Sequence, residues 1–309
     1  MRRVEHRSRL PSSVALPVLV LLVLAAAGCG QGSTGSSGKL QVVAAENFWG
    51  SIAQQLGGQH VAVTSIVTNP ASDPHDYEPT SADARTMAGA RVAIVNGIGY
   101  DAWATKLLDA NPTSGRATVD VGDLLGLKAG DNPHQWYSPP SVQRVIDRIT
   151  AGYEKADPMH SAYYEQRRRL FETKSLARYR QLIAQIRKRY AGTPVGASES
   201  IFAAMGPALG LRLLTPTGFL NAISEGTEPT PADKTEVDRQ IARRRIKVWV
   251  YNSQNATPDV RRLNGAARAA GIPIATVTET LTPAGASFEA WQARELTGLE
   301  AALAKAGGR

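Results

Sequence analysis

The chain of 309 residues contains a single cysteine, Cys29, so no intramolecular disulfide can form and stability must come from a packed core. Histidine is nearly as scarce, with five in all, so a histidine pattern that recurs is not a product of abundance. No apolar run reaches the roughly 20 residues that span a bilayer. The longest, Val14 to Ala27, is about 14 residues, which argues against a permanent transmembrane helix. No HExxH or comparable signature of a metallohydrolase occurs. Excess charge of one sign is also modest: of the formal +8, the four arginines and one glutamate before Cys29 contribute 3, leaving +5 beyond them. Basic clusters such as Arg167-Arg168-Arg169 and Arg243-Arg244-Arg245 read as solvated helical faces, and with no recognition motif beside them no nucleic-acid partner is expected.

What is present begins with a targeting segment. Four arginines between Met1 and Arg9, the apolar run and the small residues Ala26-Ala27-Gly28 make residues 1–28 a secretory signal peptide. Because the only cysteine follows directly, the junction resembles a bacterial lipobox in which Cys29 becomes the lipidated first residue, with Ala26 in place of the usual leucine. Ordinary secretion with an unpaired thiol is the alternative. Residues 29–39 are a Gly/Ser-rich tether, suited to holding a domain off a membrane to which it is lipid-anchored on the extracytoplasmic side, at the cell surface or in the periplasm.

From residue 40 onward, short apolar runs alternate with amphipathic segments, the signature of an α/β fold with mainly parallel sheets. Residues 40–158 form an N-terminal lobe and residues 191–309 a C-terminal lobe of the same Rossmann-like kind. Between them, His160 to Tyr190 pass without glycine or proline and read as one long linking helix over residues 159–190. Such a helix rises about 45 Å, enough for a rigid strut. Two helices with an unmarked kink are the alternative. In open parallel sheets ligands bind beyond the carboxyl ends of strands, which puts the expected site in the inter-lobe cleft.

Two segments repeat one design there. Asp73-Pro74-His75-Asp76-Tyr77-Glu78-Pro79 and Asn132-Pro133-His134-Gln135-Trp136-Tyr137-Ser138-Pro139 each present a histidine directly after a proline, whose fixed φ stiffens the turn. In the C-terminal lobe, Glu199 follows the strand Pro194 to Ala197, and Glu279 follows Ile274 to Val277. Singly, each of these is an ordinary loop or capping residue; Glu199 could cap a helix starting at Ser200. Together, two imidazoles and two carboxylates make a mixed N/O site suited to Zn²⁺ or Mn²⁺. Asp73, Asp76 and Glu78 are candidates to orient an imidazole by accepting its N–H, although a turn explains Asp73-Pro74 equally well. Trp49 and Trp136 could wall the cleft, or lie in the core.

These motifs, with Ser198-Glu199-Ser200-Ile201-Phe202 and the run Ile272 to Glu279, resemble the zinc/manganese solute-binding lipoproteins of bacterial metal ABC transporters. The resemblance covers about Lys39 to Leu303. It implies two α/β lobes joined by a rigid helix and one bound metal ion per chain. It further implies a monomer that hands the ion to a membrane permease with its ATPase. By this resemblance His75 and His134 occupy the two histidine positions of the first lobe. Glu199 stands where zinc-specific members often have a third histidine and manganese members a glutamate, and Glu279 where many members have aspartate. Two departures stand out: Ser138 replaces the aspartate commonly found before the proline, and the His- and acid-rich loop of many zinc-specific members is missing. Four protein ligands close a coordination shell, which fits binding and leaves no open position for catalysis. A secreted metal-dependent hydrolase would need such a position, and a surface adhesin, a label some members carry, would not explain the paired Pro-His motifs.

Overall fold

A computed structural model of the chain describes residues 38–70 and 77–307. The first half runs β1 (Leu40–Glu46), α1 (Asn47–Gly57), β2 (Val61–Val67), α2 (Ser81–Ala88), β3 (Val92–Val95), α3 (Ala102–Ala110), β4 (Ala117–Asp120), α4 (Val121–Leu125) and α5 (Pro139–Ala156). A linking segment follows, made of α6 (Ser161–Leu170) and α7 (Ala177–Tyr190). The second half comprises β5 (Pro194–Ala197), α8 (Gly206–Leu209), β6 (Arg212–Leu213), α9 (Thr217–Ser224), α10 (Pro231–Ala242), β7 (Val248–Asn252), α11 (Pro258–Ala269), β8 (Ile274–Val277) and α12 (Phe288–Ala306).

The strands form two four-stranded sheets of parallel pairs, ordered β2-β1-β3-β4 and β6-β5-β7-β8. Each half therefore has the same winding, with its first strand and its third side by side at the point where the connections diverge. β3 is buried along its whole length, as strands covered on both faces require, and its sequence is accordingly all Val, Ala and Ile. One cluster of buried apolar side chains runs from Val42 through Trp136, Tyr164 and Leu182 to Val195 and Leu299, so the two halves and the linking segment share a core.

The linking segment is not one uninterrupted α-helix. A π turn over Phe171–Ser175 separates α6 from α7, with the Leu176 N–H donating to Phe171 O at 2.9 Å. The extra residue turns the apolar face, so that Tyr164 before it, Phe171 at its start, and Tyr179, Leu182 and Ile186 after it all stay buried. A second difference lies after β5. The stretch Ser200 to Leu209 reads as one helix in the sequence but forms a 3₁₀ turn, Ser200–Ala204, followed by the single turn α8, because Gly206-Pro207 interrupts the ladder. Helix α5 begins at Pro139; its first two residues are prolines, and the Ser138 side chain caps it by accepting from Ser141 N. Ser138 thus serves as a helix cap.

Candidate metal centre

Three of the four residues expected to ligate a metal converge. One ligand atom from each of His134, Glu199 and Glu279 lies within 4.8 Å of the others, and all three side chains are buried. His134 is held in the loop before α5. Its backbone N–H and its Nδ1 both meet Asn132 Oδ1, at 3.0 and 2.8 Å, while Asn132 Nδ2 donates to Ser200 O at 2.8 Å. The amide orientation is therefore fixed by its bond to a carbonyl, and Asn132 Oδ1 can only accept. Nδ1 carries the proton, leaving Nε2, 3.5 Å from Glu279 Oε1, as the ring's metal-binding atom.

Glu199 does not cap the turn that follows it. It has no side-chain capping bond and extended backbone (φ −161°, ψ −178°), which turns its carboxylate toward the second half's other strand ends. Both its oxygens accept amide hydrogen bonds there, Oε1 from Asn252 Nδ2 and Oε2 from Asn255 Nδ2 at 2.8 Å. Asn252 Nδ2 also donates to Glu279 Oε1 at 3.0 Å. Burial, and behind it the charge of Glu279, pushes Glu199 well above the ordinary carboxylate range. A cation at this point would relieve both penalties.

Glu279 is reached from the opposite half as well. Tyr100 OH donates to its Oε2 at 3.0 Å. Tyr100 sits at the end of an unusual loop in which Gly97, Ile98 and Gly99 all adopt positive φ, of 66°, 60° and 85°. For a β-branched residue such as Ile98 this is a strained conformation that its surroundings must enforce. The enforcing group is Asp101, fully buried, whose carboxylate accepts from Asn96 N at 2.7 Å and Gly97 N at 2.8 Å. Behind it lies a second buried acid, Glu46, at the end of β1. Burial pushes Asp101 up to about 6; burial and then the Asp101 charge raise Glu46 well above its usual value.

The remaining candidates divide. Trp136 and Trp49 are both fully buried core residues rather than cleft walls. Trp136 stacks on Phe48 at 4.0 Å and meets the His134 ring edge-on at 5.2 Å, while Trp49 Nε1 donates to Asn96 Oδ1 at 3.1 Å. Glu78 is exposed. His75, Asp73, Asp76 and Cys29 lie outside the described residues, as do the signal peptide and all but the last residues of the tether. The described part of the His75 loop does reach the second half: Pro70 O accepts from Gln254 Nε2, two residues beyond Asn252. Asn252, Asn255, Tyr100 and Asn132 escaped residue-by-residue sequence reading because amides and phenols do not resemble metal ligands. The rule of looking just past strand ends, extended to β3 and β7, would have drawn attention to Tyr100 and Asn252.

Residues 42–302 match the model of the family described as zinc-uptake complex component A, periplasmic. The chain belongs to this family. Among its relatives is the metal ABC transporter substrate-binding lipoprotein FimA of Streptococcus parasanguinis, 27% identical over 282 residues that cover 84% of this chain and 86% of that protein. The manganese-binding lipoprotein MntA of Halalkalibacterium halodurans is 31% identical over 155 residues, 48% of this chain and about half (51%) of that protein. The fold matches the periplasmic zinc-binding protein TroA from Treponema pallidum with a TM-score of 0.71 at 19% identity, covering 86% of this chain and 99% of that one. It also matches a Mn-bound periplasmic metal-binding protein from Candidatus Liberibacter asiaticus, with a TM-score of 0.70 at 21% identity over 86% and 100% of the two chains. The family is one of substrate-binding components rather than enzymes.

Proposed function

We propose that this family member captures a single Zn²⁺ or Mn²⁺ ion outside the membrane through His75, His134, Glu199 and Glu279, and delivers it to an ABC permease for import. The observation that carries this reading is the convergence of three buried ligand atoms, with His134 Nε2 made the metal-binding nitrogen by Asn132. Two buried carboxylates beside an imidazole are costly to assemble without a cation to neutralise them, and this site keeps them dry and fully hydrogen-bonded. His75 would complete the set from the loop anchored at Pro70. Attachment through a lipid on Cys29 and action as a monomer belong to the same proposal.

The test is direct. The purified chain, stripped of metal, should take up one equivalent of Zn²⁺ or Mn²⁺. Free metal at 1,000 times the dissociation constant should stabilise it by about 4 kcal/mol. A His75→Ala/His134→Ala chain that retains the metal-dependent rise in melting temperature would overturn the site.

A further inference from the structure

We infer that Asn252, Asn255 and Tyr100 hold both carboxylates to one-oxygen coordination and so bias this site toward four-coordinate zinc over manganese. The inference rests on the reading of the His/Glu cluster as a metal site and assigns a role to residues outside the ligand set. Every carboxylate oxygen in the cluster already carries a donor. Glu199 Oε1 and Glu279 Oε1 share the two N–H groups of Asn252, Glu199 Oε2 takes Asn255 at 2.8 Å, and Glu279 Oε2 takes Tyr100 at 3.0 Å. None of these donors can swing away without loss. Asn252 Oδ1 accepts from Gln254 N at 3.0 Å, which fixes its NH₂ toward the carboxylates. Asn255 Nδ2 gives its other proton to Ile223 O at 3.1 Å. Tyr100 is lodged beside Trp136, ring centres 5.1 Å apart, on the strained loop pinned by Asp101.

Two modes of carboxylate coordination respond differently to this frame. If each glutamate gives one oxygen, the second oxygen keeps its amide or phenol donor. If either gives both, the carboxylate must rotate to face the ion, which pulls the Asn255 or Tyr100 donor out of its present alignment in a site where His134 and Glu199 are 0% exposed. Zinc is content with four ligands in a tetrahedron, whereas manganese favours octahedral, oxygen-rich shells and would need those second oxygens. The separation of 3.5 Å between His134 Nε2 and Glu279 Oε1 is near the edge of about 3.4 Å of a tetrahedron with bonds of about 2.0–2.1 Å. Affinity order alone already favours zinc, so the prediction concerns how far these donors widen the gap.

The experiment compares wild type, Tyr100→Phe, Asn255→Ala and the double variant by competitive titration of the metal-free chain with Zn²⁺ and Mn²⁺. Cobalt(II) absorption serves as an independent reporter of coordination number. The expected result is a ratio of manganese to zinc dissociation constants that falls about tenfold in the double variant, equivalent to about 1.4 kcal/mol. The intense visible bands of four-coordinate cobalt in wild type should weaken alongside. A ratio and a cobalt spectrum that do not move overturn the inference. If Asn255→Ala does not fold, Tyr100→Phe decides alone, since it keeps the ring and removes only the donor; an unchanged ratio there is equally refuting. A wild-type chain that binds neither zinc nor manganese would instead overturn the metal-capture reading itself.

Discussion

The buried acid pair Glu46 and Asp101 yields the sharpest prediction that does not involve the metal. Both carboxyls are 0% exposed, and both have pKa values raised in the folded chain, Asp101 to about 6 and Glu46 well above its ordinary value. A group with a raised folded pKa stays protonated in the folded chain after the unfolded chain has released its proton. Its stabilising contribution is therefore fully present below about pH 4 and is lost as pH climbs through the folded pKa. Between pH 5 and 6 the folded chain holds up to two protons that the unfolded chain lacks, so the pair alone should cost up to about 2.7 kcal/mol per pH unit. Glu46→Gln keeps the shape and removes one titration, so its stability should fall about 1.4 kcal/mol per pH unit less steeply than that of wild type over this window. The assay is urea unfolding of both chains at intervals from pH 5 to 8, with a chelator present. Other raised carboxyls, Glu199 among them, are common to the two proteins and cancel in the comparison. Parallel stability curves would refute the reasoning, and with it the claim that Glu46 is held protonated behind the loop that presents Tyr100.

Two further substitutions probe the surroundings of His134. Trp136→Ala removes a fully buried ring stacked on Phe48 and edge-on to His134, and should cost about 3–5 kcal/mol in urea unfolding; a loss below about 1 kcal/mol would mean the ring is not part of the core. Asn132→Ala takes away the acceptor that fixes the imidazole tautomer and should weaken zinc binding about 10–100-fold in a competition titration, with Asn132→Asp, which keeps an acceptor oxygen, recovering most of it. Unchanged affinity in Asn132→Ala would pass the orienting role to Ser200, whose Oγ lies 3.2 Å from Nδ1.

Much of the frame is legible in the sequence for simple reasons. β2, β5 and β8 fall where their apolar runs end, and α3 and α12 have the spans that periodicity gives, because each buries one continuous face against a sheet. What escapes is short or broken. β6 has two residues, too few to show a period, and α9 lies between Pro216 and Gly226 with no run long enough to declare a helix. The π turn leaves no mark because no glycine or proline causes it; the burial of Phe171 and Tyr179 on one face requires it.

The ligand set and its frame differ in legibility for a physical reason that the matched sheets expose. Both sheets place their first and third strands together where the connections diverge, and an acid followed by an asparagine-bearing strand end marks each crevice: Glu46 with Asn96 in the first half, Glu199 with Asn252 in the second. Sequence alone makes these pairs look alike. Their neighbours set them apart. In the first half the acid faces Asp101 in a closed core, where the cheapest state is to keep a proton, and the result is a scaffold that forces Gly97-Ile98-Gly99 into positive φ and aims Tyr100 across the cleft. In the second half the acid faces Glu279 and His134, so a divalent cation can replace the proton, and Asn252 bridges the two carboxylates that would receive it. The same residue type at the same topological station thus becomes structure in one half and a candidate ligand in the other, according to whether an imidazole joins the second acid beside it.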